Sequence, residues 1–172
     1  IDEYRTTFPE FKHELDNLQI IDSNVDNVLF KSGDTCYLSS RGTDLDLGQH
    51  TFFRDAYNDI LIASGNTPHR SETTELFLQK NMNLHPEISH WEAVGHSAGG
   101  RYVEDLGEKH PEVKVTSFEA GRSMLEKSTP DHDNITSHKI VGDPICLGDS
   151  PGHTIFHNVD YGSNLMKSHS LS

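Results

Sequence analysis

Cysteine and long apolar runs are both scarce in this chain of 172 residues. Its two cysteines, Cys36 and Cys146, are too few for a disulfide framework or a cysteine zinc site, so we expect two buried, reduced thiols. No stretch reaches the ~18 apolar residues that a membrane-spanning helix requires. The charged start at residues 1–5 does not resemble a signal peptide. We therefore expect a soluble protein without a transmembrane segment. The first residue is not Met, which also fits a piece of a larger or processed protein.

Positive charge is scarce as well. Lys and Arg number 14 against 27 Asp and Glu, which gives a formal net charge of −13 at pH 7. This balance argues against a nucleic-acid partner, because phosphates require clustered Lys and Arg. It also disfavours electrostatic docking on anionic membranes. The 12 His residues show no HExxH or paired-ligand spacing, so we expect no metal and no cofactor.

The apolar periodicity predicts strands that alternate with helices. Strands are expected at residues 27–32, 35–40, 88–94, 113–118 and 136–141. Helices are expected at residues 8–21, 52–63, 68–82 and 101–109. A turn at Gly33-Asp34 makes the first two strands a hairpin, and residues 142–172 are expected to be loop-rich. This order predicts one α/β domain over residues 1–172, with a mostly parallel sheet flanked by helices.

Residues 95–99 read Gly-His-Ser-Ala-Gly and match the nucleophile-elbow pattern G-x-S-x-G. In that motif the serine occupies a strained turn between a strand and a helix. Glycines two residues to either side let the strand and the helix pass close to the turn. The helix N-terminus behind the serine favours developing negative charge. We therefore expect Ser97 to be a nucleophile, with a predicted turn over residues 95–100; the alternative is a glycine-rich turn in which the serine is incidental.

Further segments occur in the order found in the class 3 (fungal-type) lipases. Residues 36–43 resemble the strand that ends in Arg-Gly-Thr or Arg-Gly-Ser in that family, and residues 116–122 resemble its Phe-Gly-Ala-Pro-Arg turn. Residues 139–145 are similar to its strand ending in Asp-Pro-Val, and residues 168–171 to the segment of its C-terminal histidine. The resemblance runs from about Val28 to the end of the chain. It implies an α/β-hydrolase fold, here with a minimal lid or none.

The resemblance implies a catalytic triad of Ser97, Asp143 and His169, in the Ser–Asp–His order of α/β-hydrolases. His169 would take the proton of Ser97 and return it to the leaving group. Asp143 would hold the imidazole in the required tautomer. Asp143 follows a β-rich run, so it should emerge at the carboxyl end of a strand, where open α/β sheets place their sites. His153 and His157 also follow Asp143 and are alternatives for the base, although His153 looks like a turn residue after Pro-Gly.

The resemblance also implies an oxyanion hole made by the backbone N–H groups of Ala98 and Thr43. Gly42 permits the tight backbone that this arrangement needs. Two departures from the family stand out. Glu119-Ala-Gly replaces the Gly-Ala-Pro of the family turn, and the chain ends three residues after His169.

The expected activity is that of a serine hydrolase, a lipase or esterase in the broad sense that includes phospholipase A1, acting on an ester or lipid substrate through an acyl-enzyme. Two alternatives stay open. One is a hydrolase fold kept as a binding or structural module of a larger protein, such as a viral one; the other is a peptidase or thioesterase on the same scaffold. The spare segment at residues 65–86 is mostly polar, which predicts no large apolar lid and a preference for short or medium acyl chains. His96 is expected to pack within the elbow. The natural ester and the oligomeric state stay open.

Overall fold

The computed structural model describes residues 16–42, 68–122, 132–143 and 146–158. Within these ranges the strands are Gln19–Ser23 (β1), Asn27–Ser32 (β2), Thr35–Ser40 (β3), His90–His96 (β4), Val113–Phe118 (β5), Ile135–Ile140 (β6) and His153–His157 (β7). The helices bounded within them are Pro68–Leu84 (α1) and Ala98–Lys109 (α2). The helix predicted at residues 52–63 lies outside the described residues.

The seven strands form one sheet in the order β1-β2-β3-β4-β5-β6-β7. The first three are antiparallel neighbours, and each pair from β3 to β7 is parallel. The predicted α/β class with a mostly parallel sheet is therefore confirmed. Since β3 to β7 all run in one direction, their carboxyl ends share a single edge of the sheet, which we call the carboxyl edge.

The core lies between the sheet and α2, with α1 packed beside α2. In β5 the side chains alternate, so that Val113 and Val115 are buried while Lys114 is exposed, as one face of a strand requires. Val103 and Leu106 of α2 meet them from the helix side. The two cysteines are free and buried, as predicted.

Two predictions are wrong in part. The helix expected to reach Ile21 overlaps β1, whose residues pair with β2 across an irregular antiparallel register. Pairing with the hairpin overrides the helical spacing there, and residues 8–15 of that predicted helix lie outside the described residues. The segment expected to be loop-rich contains β7, so His153 begins a strand. This strand is hard to predict because its burial is weak on both faces, and Phe156 is 66% exposed.

A buried ion pair joins α2 to the far half of the sheet. The Glu104 carboxylate is fully buried and accepts hydrogen bonds from Arg122 Nε at 2.5 Å, from Ser117 Oγ at 2.6 Å and from Ser137 Oγ. The side chain of Arg122 is only 4% exposed. Buried charges are tolerated when each has its partner, and removal of one partner leaves the other uncompensated. The pair therefore fixes the segment after β5 against α2.

We predict that Arg122→Met lowers the free energy of unfolding by about 3–5 kcal/mol, because the Glu104 carboxylate stays buried without its cation. The double variant Glu104→Leu/Arg122→Met should regain most of that loss. Lys80→Met is the matched control, since Lys80 pairs with Asp22 at 2.8 Å on the surface with a side chain that is 59% exposed. It should cost less than about 1 kcal/mol. Urea denaturation measures all three, and an equal cost for Arg122→Met and Lys80→Met would contradict the prediction.

Candidate active site

The turn between β4 and α2 consists of Ser97 alone. Its φ is 55° and its ψ is −123°, a backbone conformation that costs a residue with a side chain about 1–3 kcal/mol. The backbone is held on both sides of this residue. The Ser97 N–H donates to the carbonyl of Phe118 at 3.0 Å, and the Ser97 carbonyl accepts from the N–H groups of Arg101 at 3.2 Å and Gly121 at 3.1 Å. The predicted turn of six residues is thus shortened to one, and α2 begins three residues earlier than expected.

The hydroxyl of Ser97 does not cap α2, although Ser97 occupies the N-cap position. A capping serine ordinarily has extended backbone angles, and its oxygen accepts from an N–H of the first helical turn. Ser97 has a positive φ instead, and its side chain makes no such capping bond. The residue that follows, Ala98, opens the helix and is buried. Its N–H belongs to the first turn, where a helix has no backbone acceptors of its own.

The glycines of the motif are required by close packing. A Cβ on Gly95 would lie 2.3 Å from the carbonyl oxygen of Gly99, and a Cβ on Gly99 would lie 2.3 Å from the carbonyl oxygen of Ser40 in β3. All of these contacts are with backbone, which cannot rotate away. The elbow therefore sits directly against both α2 and the end of β3, as the spacing of the motif predicts.

The chain leaving β3 passes along the elbow. A Cβ on Gly42 would lie 2.8 Å from the carbonyl oxygen of His96 and 3.6 Å from Cβ of Ser97. Thr43, the next residue and a predicted oxyanion-hole donor, lies outside the described residues, so its role stays a prediction. The residue before it, Gly42, lies beside Ser97.

Asp143 emerges at the carboxyl edge, three residues after the end of β6. Its N–H donates to the carbonyl of Ile140 at 3.2 Å, and Gly142 makes the turn possible with a φ of 90°. The Asp143 side chain is buried, with 1% of the residue exposed. Since β5 separates β4 from β6, the strands that carry Ser97 and Asp143 lie about 10 Å apart. The predicted triad would need a side chain from another segment to bridge that gap, and the predicted one, His169, lies outside the described residues.

The two alternative histidines occupy opposite ends of β7. His153 is in register with Thr136 near the start of β6, about 13 Å along the strand from the carboxyl edge. His157 is in register with Ile140 and reaches that edge. Position therefore disfavours His153 as the base and leaves His157 as the rival of His169.

His157 already contacts another histidine. Its Nε2 lies 2.8 Å from Nδ1 of His138, and the two rings stack with centroids 5.1 Å apart. At this distance one nitrogen donates and the other accepts. Burial and the neighbouring His157 lower the pKa of His138. This pairing engages the nitrogen that His157 would need to act on a serine.

Glu119 is a residue of this region that sequence analysis noted only as a departure from the family turn. Its φ is 49°, and it is buried. Its Oε2 lies 3.2 Å from Nε2 of His96, the residue before the nucleophile, and its N–H donates to the carbonyl of His138 at 2.8 Å. His96 therefore takes part in a polar pair, in addition to the packing that was expected. The signal in the sequence was the glutamate that stands where the family turn has glycine.

Comparison with models of known protein families finds no match, and no curated protein matches the chain significantly. Across the described ranges, no three or more His, Cys, Asp or Glu side chains are grouped so as to hold a metal ion. Neither α1 nor any other helix in those ranges combines the length and apolar character needed to cross a membrane.

We predict that Glu119→Gly is more stable than Glu119→Ala by about 1–2 kcal/mol. Both variants lose the carboxylate that faces His96, but only glycine adopts a positive φ without a steric penalty. The difference between their free energies of unfolding therefore isolates the backbone strain. Chemical denaturation measures it. If the alanine variant is at least as stable as the glycine variant, Glu119 does not hold a left-handed conformation in solution.

Proposed function

We propose that this chain is a serine hydrolase of the α/β-hydrolase type, similar to the class 3 lipases, that cleaves carboxylic esters. The observation that carries the proposal is the strained backbone of Ser97. Serine occupies a position with a positive φ of 55°, where glycine would avoid the strain. Strain of this kind, over-determined by its surroundings, clusters at functional sites.

In the proposed reaction Ser97 Oγ forms a bond to the ester carbonyl carbon while its proton moves to His169. The negative oxygen that results is stabilised by the N–H groups of Ala98 and Thr43. Collapse of the intermediate breaks the bond to the alcohol, which leaves with the proton from His169. Water then repeats both steps on the acyl-enzyme and releases the acid. Asp143 orients the imidazole and stabilises its charged form.

The topology supports this arrangement. Ser97 follows β4 and Asp143 follows β6, so both leave strands at the carboxyl edge, where open α/β sheets bind their ligands. Their order along the chain is Ser before Asp, as in α/β-hydrolases. The chain after β3 passes close to the elbow at Gly42, the residue before the proposed second oxyanion donor.

The character of α1 supports a small ester as the substrate. This helix covers most of the spare segment that was considered for a lid, and its Phe77 and Leu78 lie in the core. They are therefore not available to cover a lipid tunnel. We propose short or medium acyl chains, hydrolysed in solution without activation at an oil–water interface.

We predict that a fluorophosphonate probe labels the protein covalently and that Ser97→Ala abolishes both labelling and hydrolysis of p-nitrophenyl esters. The loss of kcat should be on the order of 10³-fold or more, because the triad acts as a unit. Ser89→Ala, at an exposed serine that contacts Asp34 at 3.2 Å, is the matched control and should keep full activity.

A graded ester series, from acetate to palmitate, reports the chain-length preference in the same assay. Peptide and thioester substrates tested alongside it address the peptidase and thioesterase alternatives. A folded protein that neither reacts with the probe nor cleaves any ester would favour the alternative of a hydrolase fold kept as a binding or structural module. Hydrolysis that survives in Ser97→Ala would reject Ser97 as the nucleophile.

We predict that His169→Ala lowers kcat/KM on the order of 10³-fold or more, whereas His153→Ala and His157→Ala stay within a few-fold of the parent. The expectation for His153 follows from its place at the far end of β7, and that for His157 from its contact with His138. Circular dichroism verifies that each variant is folded. An inactive His157→Ala beside an active His169→Ala would assign the base to His157.

A further inference from the structure

A cavity of about 440 Å³ opens beside the end of β6, beneath the segment at residues 146–150. Lys139, Thr154 and Phe156 line it. Lys139 is in register with Phe156, and Thr154 stands two residues before Phe156, so all three side chains share one face of the sheet. Its volume falls within the range of small-molecule sites.

Lys139 is the unusual charge in this cavity. The residue is 4% exposed, and its ammonium donates a hydrogen bond to the carbonyl of Gly148. Within the described part of the chain, no carboxylate approaches Lys139 to ion-pair distance; Glu104 and Asp149 act on it only from farther away. Burial lowers the pKa of Lys139. A buried ammonium has three protons to place and is costly without a counter-charge, so this site has donors and a positive charge to offer a ligand.

Ser150 supplies a second polar group. Its hydroxyl is buried and makes no hydrogen bond within the described part of the chain. A buried hydroxyl without a partner costs about 1–3 kcal/mol, and here it also lines the cavity. The apolar side chains of Leu147 and Phe156 stand at the same cavity and are 50% and 66% exposed. The cavity thus combines a buried ammonium, bonded to one carbonyl, and one hydroxyl without a partner with an exposed apolar surface.

Two carboxylates at the cavity would instead favour a cationic ligand. Asp143 and Asp149 both line it. Asp149 is exposed, so water and salt screen its charge, and Asp143 already has a partner in the protein. Burial raises the pKa of the Cys146 thiol to about 12, so this group stays neutral at pH 7. The buried positive charge at the cavity is that of Lys139.

We infer that this cavity binds a small monocarboxylate with a short apolar tail. One carboxylate oxygen pairs with the Lys139 ammonium, the other accepts the Ser150 hydroxyl proton, and the tail lies against Leu147 and Phe156. The ligand supplies a counter-charge at ion-pair distance, which the described residues do not provide. Binding requires no hydrolysis, although the cavity borders Asp143 of the proposed triad.

The test is a titration followed by amide NMR, carried out on the full chain with Ser97→Ala so that no turnover contributes. The probes are hexanoate, the neutral hexanamide and the cationic hexylamine. Hexanoate should bind saturably and shift the amide signals of residues 146–149, with an affinity at least ten-fold above that of hexanamide. Hexylamine should produce no saturable shift there.

Variants then assign the contacts. Lys139→Met should weaken hexanoate binding at least ten-fold, and Ser150→Ala a few-fold. Lys114→Met is the matched control, because Lys114 is exposed on the neighbouring strand β5, and it should bind as the parent does. If Lys139→Met does not fold, Ser150→Ala and the comparison of hexanoate with hexanamide decide the matter. Equal binding of hexanoate and hexanamide, preference for hexylamine, or full hexanoate affinity without Lys139 would each overturn the inference.

Discussion

The backbone conformation of Ser97 is the constraint around which the rest of the structure is arranged. A left-handed serine persists only where its neighbours fix both of its peptide groups. Here Phe118 and Gly121 fix it from the side of β5, and Arg101 fixes it from α2. Two glycines remove the side chains that would separate the elbow from α2 and β3. The conformation of the turn therefore depends on packing against α2, β3 and the end of β5. The five residues of the motif would not maintain it by themselves.

The Glu104–Arg122 pair helps to hold the backbone conformation of Ser97 in place. Arg122 directly follows Gly121, whose N–H binds the Ser97 carbonyl. Since the guanidinium is tied to Glu104 within α2, the helix and the segment after β5 cannot shift independently of each other. The charged pair therefore ties the position of the elbow helix to that of the segment that holds the elbow.

Local patterns were sufficient to predict much of the fold. The hairpin of β2 and β3 was predicted with the bounds observed, because alternation and a Gly-Asp turn lie within fourteen residues. The edge strand β7 was missed, since an exposed strand has little apolar alternation to reveal it. Contacts between distant residues were also missed: His96 meets Glu119 across 23 positions, and Ser137 meets Glu104 across 33. Such contacts depend on which strands become neighbours, and no local pattern contains that information.

Strain occurs at the ends of two adjacent strands, and this links the candidate nucleophile to Glu119. Ser97 and Glu119 follow β4 and β5, and they are the non-glycine residues with positive φ in the described part of the chain. The N–H of Ser97 donates to the carbonyl of Phe118, the residue before Glu119. This hydrogen bond fixes the position of the elbow relative to the end of β5. His96 and Glu119 then join the two strand ends through their side chains. Because each strained residue is anchored to the neighbouring strand end, relaxation at one would be transmitted to the other. A glutamate at this position, where glycine would cost less, therefore makes the geometry of Ser97 depend on a polar contact from β5 as well as on the glycines of its own motif.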